Sequence, residues 1–367
     1  MILEKFAVTN FRGFSQRIEW DLSSPGNYAF NPDAIKEGVV KNGIIYGPNG
    51  SGKSNFSLAL FDMVNHLTQK MRKADYYDNF AYAGNANSPV SFEYLFKNGT
   101  DHIAYLYAKR SNGSLCWEEL KVNDKQVFMR TDNKFEIDEE QFPMHDTTKA
   151  KLRNNANNIS IVNYLVTSFP LPQGHYLLEL QHFADTMLWF RCLNVTEFIG
   201  LDATPTVLEE YIIKHNYTED FQRFLRDVSG QEFEFVTPHP TDKVLLCRYG
   251  DNVIPFNKIA STGTQSLRLL YYWMKKMNAA SFVFIDEFDA FYHYRLSYNV
   301  CKELFRLNCQ LFLSSHNTYL MTNDLLRPDC NFILQDNVIK PLQKCTSKEL
   351  RFGHNMEKLY RGKAFSV

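Results

Sequence analysis

The sequence predicts an α/β fold of the phosphate-loop class, with an antiparallel β subdomain and a helical insertion between two lobes. Three observations carry that expectation. First, Gly47-Pro48-Asn49-Gly50-Ser51-Gly52-Lys53-Ser54 meets every fixed position of the pattern G-x-x-x-x-G-K-[ST]. It lies between an apolar run, Gly43-Ile44-Ile45-Tyr46, and a segment from Asn55 to Leu67 with apolar residues at helical spacing. Second, another apolar run, Phe282-Val283-Phe284-Ile285, ends in Asp286-Glu287. Third, the strand-like runs after residue 90, with turns at Lys97-Asn98-Gly99 and Ser111-Asn112-Gly113, read as an antiparallel meander.

In chain order, residues 1–22 read as two strands joined at Thr9-Asn10-Phe11-Arg12-Gly13, and 23–40 as loop. The phosphate-loop strand and helix follow. Lys70 to Ser88 is polar and reads as a mobile connection. The meander candidates are Val90–Phe96, His102–Ala108, Leu115–Val122 and Gln126–Arg130. From about Asp146 to Phe235 the pattern is helical, with the longest periodic faces at Leu177–Phe190 and Val207–Phe224. A strand is expected at Val244–Tyr249. A helix opens at Ser261-Thr262-Gly263-Thr264-Gln265, the acidic strand comes next, and a helix from about Leu296 leads to a strand, Gln310–Leu313, that runs into Ser314-Ser315-His316. Two short strands, Asn331–Leu334 and Val338–Leu342, precede a polar tail. The expected division is an N-terminal lobe 1–145, a helical insertion 146–235 and a C-terminal lobe 236–367.

Composition narrows the function classes. The hydrophobic fraction of 44% and charged fraction of 22% are those of a soluble globular chain, and a net charge of −1 makes no general trap for nucleic acid. The seven cysteines form no C-x-x-C pair, which argues for a reducing compartment and against a disulfide framework or zinc site. No apolar run approaches the roughly 18 residues of a membrane span, and the first residues lack a signal-peptide pattern. The expectation is a cytoplasmic protein without membrane contact. Aromatics, at 15%, are read as core.

The chemistry begins at the glycine loop. Its glycines let the backbone curl so that N–H groups of Asn49, Gly50, Ser51 and Gly52 converge on phosphate at a helix N-terminus. Lys53 is placed to reach the β/γ-phosphates and the Ser54 hydroxyl to ligate Mg2+, so the chain is expected to bind a nucleoside triphosphate with magnesium. A buried strand ending in a carboxylate beside such a loop holds the metal, and Asp286 suits that place. Glu287, one residue on, points elsewhere and can orient or deprotonate the attacking water. Ser261 and its neighbours can present a hydroxyl, N–H groups and a positive helix end to an anion. His316, at a strand end, is placed to contact a γ-phosphate.

The order of phosphate loop, S-x-G-x-Q helix, apolar-Asp-Glu and strand-histidine resembles the ATP-binding-cassette (ABC) ATPase head, in the branch shared by SMC, RecF and OLD-type proteins. Asn10-Phe11-Arg12-Gly13-Phe14 is similar to the N-F-[KR]-x-F opening of that branch. Within it, the sequence looks closest to AbiLi-like AAA/ABC ATPases of bacterial abortive-infection and anti-phage defence. Further features that carry this are Asp286-Glu287-Phe288-Asp289 with a downstream His293, Ser315-His316-Asn317-Thr318, and Glu349-Leu350-Arg351-Phe352-Gly353-His354-Asn355. The resemblance covers roughly 1–135 and 240–365.

It implies two heads packed head-to-tail, each ATP held between one phosphate loop and the partner's Ser261, Gly263 and Gln265, so that hydrolysis loosens the dimer. It further implies catalytic roles for Glu287 and His316, and a nucleotide contact for Arg12 where the alternative is a surface arginine. The implied function is a slow, regulatory ATPase that senses infection, with a phage protein as possible trigger, and controls a separate effector protein from a homodimer or higher oligomer. The alternative is a RecF-like clamp that closes on duplex DNA; a scaffold holding ATP structurally is a third reading. The sequence departs from the transporter signature L-S-G-G-Q, with Ala260 and Thr264 replacing its leucine and second glycine and Thr262 between Ser261 and Gly263. A glutamine completing the magnesium shell has only a positional candidate, Gln126, and no second acidic cluster for a nuclease follows Glu287.

Overall fold

A computed structural model of the chain describes residues 1–68, 70, 75–154, 159–192, 197–201 and 208–367. The start of the expected periodic stretch at Val207 lies outside them. The fold is mixed α/β and rests on two seven-stranded sheets.

The first sheet is antiparallel. Ile2–Thr9 pairs with Ile18–Asp21 on one side and Val90–Asn98 on the other, and the meander continues through Asp101–Lys109, Leu115–Val122, Lys125–Thr131 and Phe135–Ile137. The alternation seen in the sequence is the burial pattern of Val90–Asn98, whose Val90, Phe92, Tyr94 and Phe96 face inward. The opening strands and the meander therefore form one sheet, joined where Lys5–Thr9 lie opposite Ser91–Leu95.

The second sheet holds the loop motifs. The parallel strands Leu188–Arg191, Phe282–Asp286, Gln310–Ser315, Asn42–Tyr46 and Asn331–Gln335 lie side by side in that order. Antiparallel strands Phe198–Gly200 and Val338–Pro341 close the two edges. Phe282–Asp286 and Gln310–Ser315 are buried throughout, as strands covered on both faces must be. The two sheets meet through Trp20, whose ring centroid lies 4.4 Å from Phe312 and 5.5 Å from Phe332. Gln310 stitches them: Leu3 N–H donates to its Oε1 at 3.0 Å, and its Nε2 donates to the carbonyls of Leu3 at 2.9 Å and Val40 at 3.0 Å.

Four expectations need correction. The helix after the loop is two, Lys53–Leu60 and Asp62–Leu67, with Phe61 between them. Residues 75–88 dock rather than dangle: Tyr76 and Phe80 are buried, and Tyr76 O–H donates to Asp62 at 2.9 Å. Short strands Ile35–Lys36 and Val39–Val40 stand in the expected loop 23–40. Most consequential, the segment 146–235 is not wholly helical. Helices Asp146–Asn154, Ile161–Ser168, Tyr176–Asp185, Leu208–Lys214 and Thr218–Ser229 are present, but Leu188–Arg191 is a strand of the central sheet beside the acidic strand. The helical period of Leu177–Phe190 stops at Asp185 because the next apolar run, Leu188-Trp189-Phe190, finds a strand partner in Val283–Ile285.

Further on, Leu246–Tyr249 pairs with Asn252–Pro255 as a hairpin. Helices Thr262–Met277 and Tyr294–Leu304 flank the acidic strand in sequence, and the tail carries a helix at Met356–Arg361. The cysteines are free, six buried and Cys116 half-buried. Among the described residues no helix is long and apolar enough to cross a membrane.

Candidate nucleotide site

The loop Gly47–Gly52 sits at the C-terminal ends of the parallel strands, where such sheets form their ligand crevice. Gly50 and Gly52 take φ of 78° and 98°, left-handed values that L side chains rarely adopt. A side chain at Gly47 would place its Cβ 2.4 Å from the Leu334 carbonyl oxygen. One at Gly52 would strike the Phe14 ring at 2.8 Å, so the N-terminal turn is pressed onto the loop. Gly52 starts the helix Lys53–Leu60 and supplies no side-chain cap. The Ser51 hydroxyl is buried without a partner. An uncapped helix start, a glycine cradle and an orphan hydroxyl fit a phosphate group.

Lys53 is 6% exposed, and its Nζ donates to its own loop, to the carbonyls of Gly47 at 2.8 Å and Pro48 at 3.2 Å. Burial lowers its pKa, opposed by Asp286 and Glu287. The His316 Nδ1 lies 3.5 Å from Lys53 Nζ, and burial together with that ammonium holds the imidazole below its usual range.

Asp286 ends its strand fully buried. Ser314 Oγ–H donates to Asp286 Oδ1 at 2.6 Å, and the same Oγ accepts from the Glu287 N–H at 2.8 Å. Glu287 has φ of 51°, a left-handed value for a non-glycine residue. This turn separates the direction of the half-buried Glu287 from that of Asp286, and such strain collects at functional sites. Asp289 accepts from Ser315 Oγ at 2.7 Å, and burial raises its pKa.

Two expected ligands of one cation do converge. Arg191 Nη2 donates to Ser54 Oγ at 3.0 Å and to Asp286 Oδ2 at 2.7 Å, and Nε reaches the same Oδ2 at 2.9 Å. Hard oxygen donors on two elements meet at a point already holding positive charge, which fits Mg2+. Ser314 and Arg191 were both missed in the sequence. Ser314 was read only as context for His316. Arg191 ends an apolar strand as Asp286 does, and that parallel was the available signal.

The remaining expected residues lie elsewhere. Arg12 has φ of 47°, its guanidinium sits 5.3 Å over the Phe11 ring, and its Nε is buried without a partner. It lines a cavity of about 210 Å³ with Trp189, Arg191 and Glu197. Ser261 is exposed and caps the helix Thr262–Met277, its Oγ accepting from Thr264 N–H at 3.2 Å. With Gly263, Gln231, His293 and Arg295 it lines an open pocket of about 600 Å³. None of Gly47–Ser54 lines that pocket. Gln265 Nε2 donates to Asn257 O at 3.3 Å and its buried Oε1 has no partner. The fold thus gathers Lys53, Ser54, Asp286, Glu287 and His316 and leaves Ser261, Gly263 and Gln265 apart.

Residues 197–322 match the family model described as an AAA domain, putative AbiEii toxin, Type IV TA system. No curated protein matches the chain. Among solved structures, the SMC head domain from Thermotoga maritima is similar at 16% identity and a TM-score of 0.43, covering 93% of this chain and 98% of that one. An SMC head bound to the C-winged helix domain of ScpA reaches 14% identity and a TM-score of 0.49, over 94% and 99% of the two chains. The recombination mediator RecF bound to an ATP analogue gives 13% and 0.39, over 93% and 98%. At this level these likenesses say nothing about activity.

Proposed function

We propose that the protein is an ABC-type ATPase that hydrolyses ATP slowly and, through ATP-dependent head-to-tail dimerisation, acts as sensor and regulator of a separate effector protein in bacterial anti-phage defence. The observation that carries the ATPase reading is the convergence of Ser54 and Asp286 on one cationic point, with Lys53 and Glu287 beside them. The cradle Asn49–Gly52 binds the phosphates, and Lys53 leaves its loop carbonyls to neutralise them. Ser54 and Asp286 would hold Mg2+, which would supply charge neutralisation of the phosphate oxygens. Glu287 takes the proton of the attacking water, and His316 faces the γ-phosphate from beside Lys53.

The separation of Ser261, Gly263 and Gln265 from the loop supports a composite site, in which a partner's helix N-terminus completes the γ-phosphate cradle. Arg12, with its unpartnered Nε, is assigned a charge-assisted contact to the nucleotide. The lobes 1–145 and 236–367, together with the strand Leu188–Arg191, form the ATPase on this reading, and the helices within 146–235 offer the effector contact. The defence role draws on the family description for 197–322, which names a toxin–antitoxin system.

The deciding experiment is the mass of purified Glu287→Gln protein with and without ATP and magnesium, with co-purifying proteins identified. An ATP-dependent oligomer carrying a second protein supports the reading. A chain that stays monomeric with ATP overturns the dimer, and a bare dimer that retains duplex DNA replaces the regulator with a repair clamp.

A further inference from the structure

The metal point of this protein is filled by one of its own side chains. Arg191 ends the strand Leu188–Arg191, in register with Asp286 on the neighbouring parallel strand. Its backbone is therefore fixed by the sheet, and only the side chain has room to move. Among the described residues the guanidinium donates three hydrogen bonds, and these go to the two oxygens assigned above to the cation, Ser54 Oγ and Asp286 Oδ2. A guanidinium and a divalent ion cannot share those oxygens, because positive charges a few ångströms apart repel strongly in a site screened from water.

A second seat lies next to the first. Arg191 Nη1 is 3.7 Å from Glu197 Oε2, and the guanidinium lies 5.6 Å from the Trp189 ring. Both residues line the 210 Å³ cavity, together with Asp75 and Tyr76, and a quarter of the Arg191 side chain is exposed. The arginine can exchange Asp286 for Glu197 without losing a carboxylate partner or its aromatic face.

We propose that Arg191 is a resident cation that occupies the metal position in the nucleotide-free chain and is displaced onto Glu197 when magnesium and nucleotide bind. This deepens the ATPase reading and rests on it. While seated, Arg191 compensates the buried Asp286 charge, which alone would be costly. It also denies the site to a free divalent ion, so metal enters with nucleotide rather than before it.

The test uses the full chain and two readouts besides turnover: Mn2+ binding followed by electron paramagnetic resonance without nucleotide, and binding of a fluorescent ATP analogue with magnesium or with chelator. Wild type is expected to bind Mn2+ weakly on its own. Arg191→Gln keeps a hydrogen-bonding group beside Asp286 but removes the charge, and is expected to bind Mn2+ at least tenfold more tightly. Glu197→Gln leaves the seated pair intact and weakens only the second seat, so it is expected to raise the magnesium concentration needed for analogue binding several-fold. Equal Mn2+ affinity in wild type and a folded Arg191→Gln chain overturns the proposal, as does an unchanged magnesium requirement in Glu197→Gln. Failure of wild type to bind the analogue at all, with Lys53→Ala as the control for loop-dependent binding, would instead overturn the ATPase reading itself.

Discussion

The phosphate-loop edge and the Ser261 pocket are the two halves of the proposed site, and they are built in opposite ways. At the loop edge Lys53 is answered within the chain by two loop carbonyls and Asp286 by Arg191 and Ser314. At the pocket, Ser261 is exposed and the Gln265 Oε1 has no partner. One half must break internal contacts to take a ligand, whereas the other has few to break. On the proposed reading, the chemistry belongs to the first half and the completion to the second. The sharpest division is expected from Glu287→Gln, which keeps shape and removes the base. Turnover should fall by about 10²–10⁴-fold, the range for a lost general base, while analogue affinity changes little. Measured under single-turnover conditions, an undiminished rate would remove Glu287 from the reaction.

Gly263→Asp probes the other half. Gly263 lines the pocket, a Cβ there would stand 3.2 Å from the Phe291 carbonyl oxygen, and a carboxylate would repel an incoming phosphate. Analogue binding to the monomer should stay within about twofold, since the loop is untouched, while turnover drops by about 10²-fold through loss of the completed cradle. Analytical ultracentrifugation with ATP separates the cases. Retained turnover, or equal damage to monomer binding, would collapse the distinction between the halves.

A buried carboxylate elsewhere supplies the contrast with no ligand in play. Glu118 in the antiparallel sheet is fully buried and accepts from Arg130 Nη2 at 2.7 Å, Ser160 Oγ at 2.7 Å, Tyr105 O–H at 2.8 Å and Ile161 N–H at 2.9 Å. Burial by itself would raise its pKa, but the His66 ring 3.9 Å away, the Arg130 charge and the Ile161 N–H hold it at about 2, below the ordinary 4.5. A depressed folded-state value means the stabilisation is complete above the unfolded value near 4.5 and is lost as pH falls through about 2. The full effect is on the order of 3 kcal/mol. Urea unfolding from pH 6 down to pH 3 should show the decline, and Glu118→Gln should flatten it while lowering stability at pH 6. A wild-type slope that matches the Glu118→Gln slope would mean that this carboxylate is not the one whose charge folding protects.

What the sequence exposed and what it hid follow the same line between local and distant causes. The glycine loop, the Ser261 cap and the Asp286-Glu287 strand end are local patterns whose residue types answer to backbone geometry or charge at that spot, and each stands on the expected element. The strand Leu188–Arg191 was hidden because Leu188, Trp189 and Phe190 are buried without alternation, so their pattern cannot separate a short central strand from the end of the preceding helix. Pairing with Phe282–Asp286, far along the chain, decides it. With that strand went Arg191, whose role depends on Ser54 and Asp286 arriving from two other elements. The docking of residues 75–88 was hidden for a similar reason, since Tyr76 stands in a polar stretch and its partner, the buried Asp62, comes from the helix Asp62–Leu67.

The smallest expected effect is also the one that tests how tightly the first half is organised. Ser314 bridges the two acids, giving a hydrogen bond to Asp286 and taking one from the Glu287 backbone at the residue held in a left-handed turn. Ser314→Ala deletes both contacts without filling or emptying much space. The half-buried Glu287 N–H would then lose its partner, a cost of about 0.5–1.5 kcal/mol in stability. The acid next to it would lose its fixed direction. Turnover should fall about tenfold, consistent with a modest misplacement of a general base, while analogue affinity holds because neither Lys53 nor the loop is touched. Thermal melting and single-turnover rates on the same preparation separate the two consequences. A loss of stability with full turnover would mean that Glu287 is positioned by its own backbone turn and needs no help from Ser314, and the loop edge would then be less interlocked than its hydrogen bonds imply.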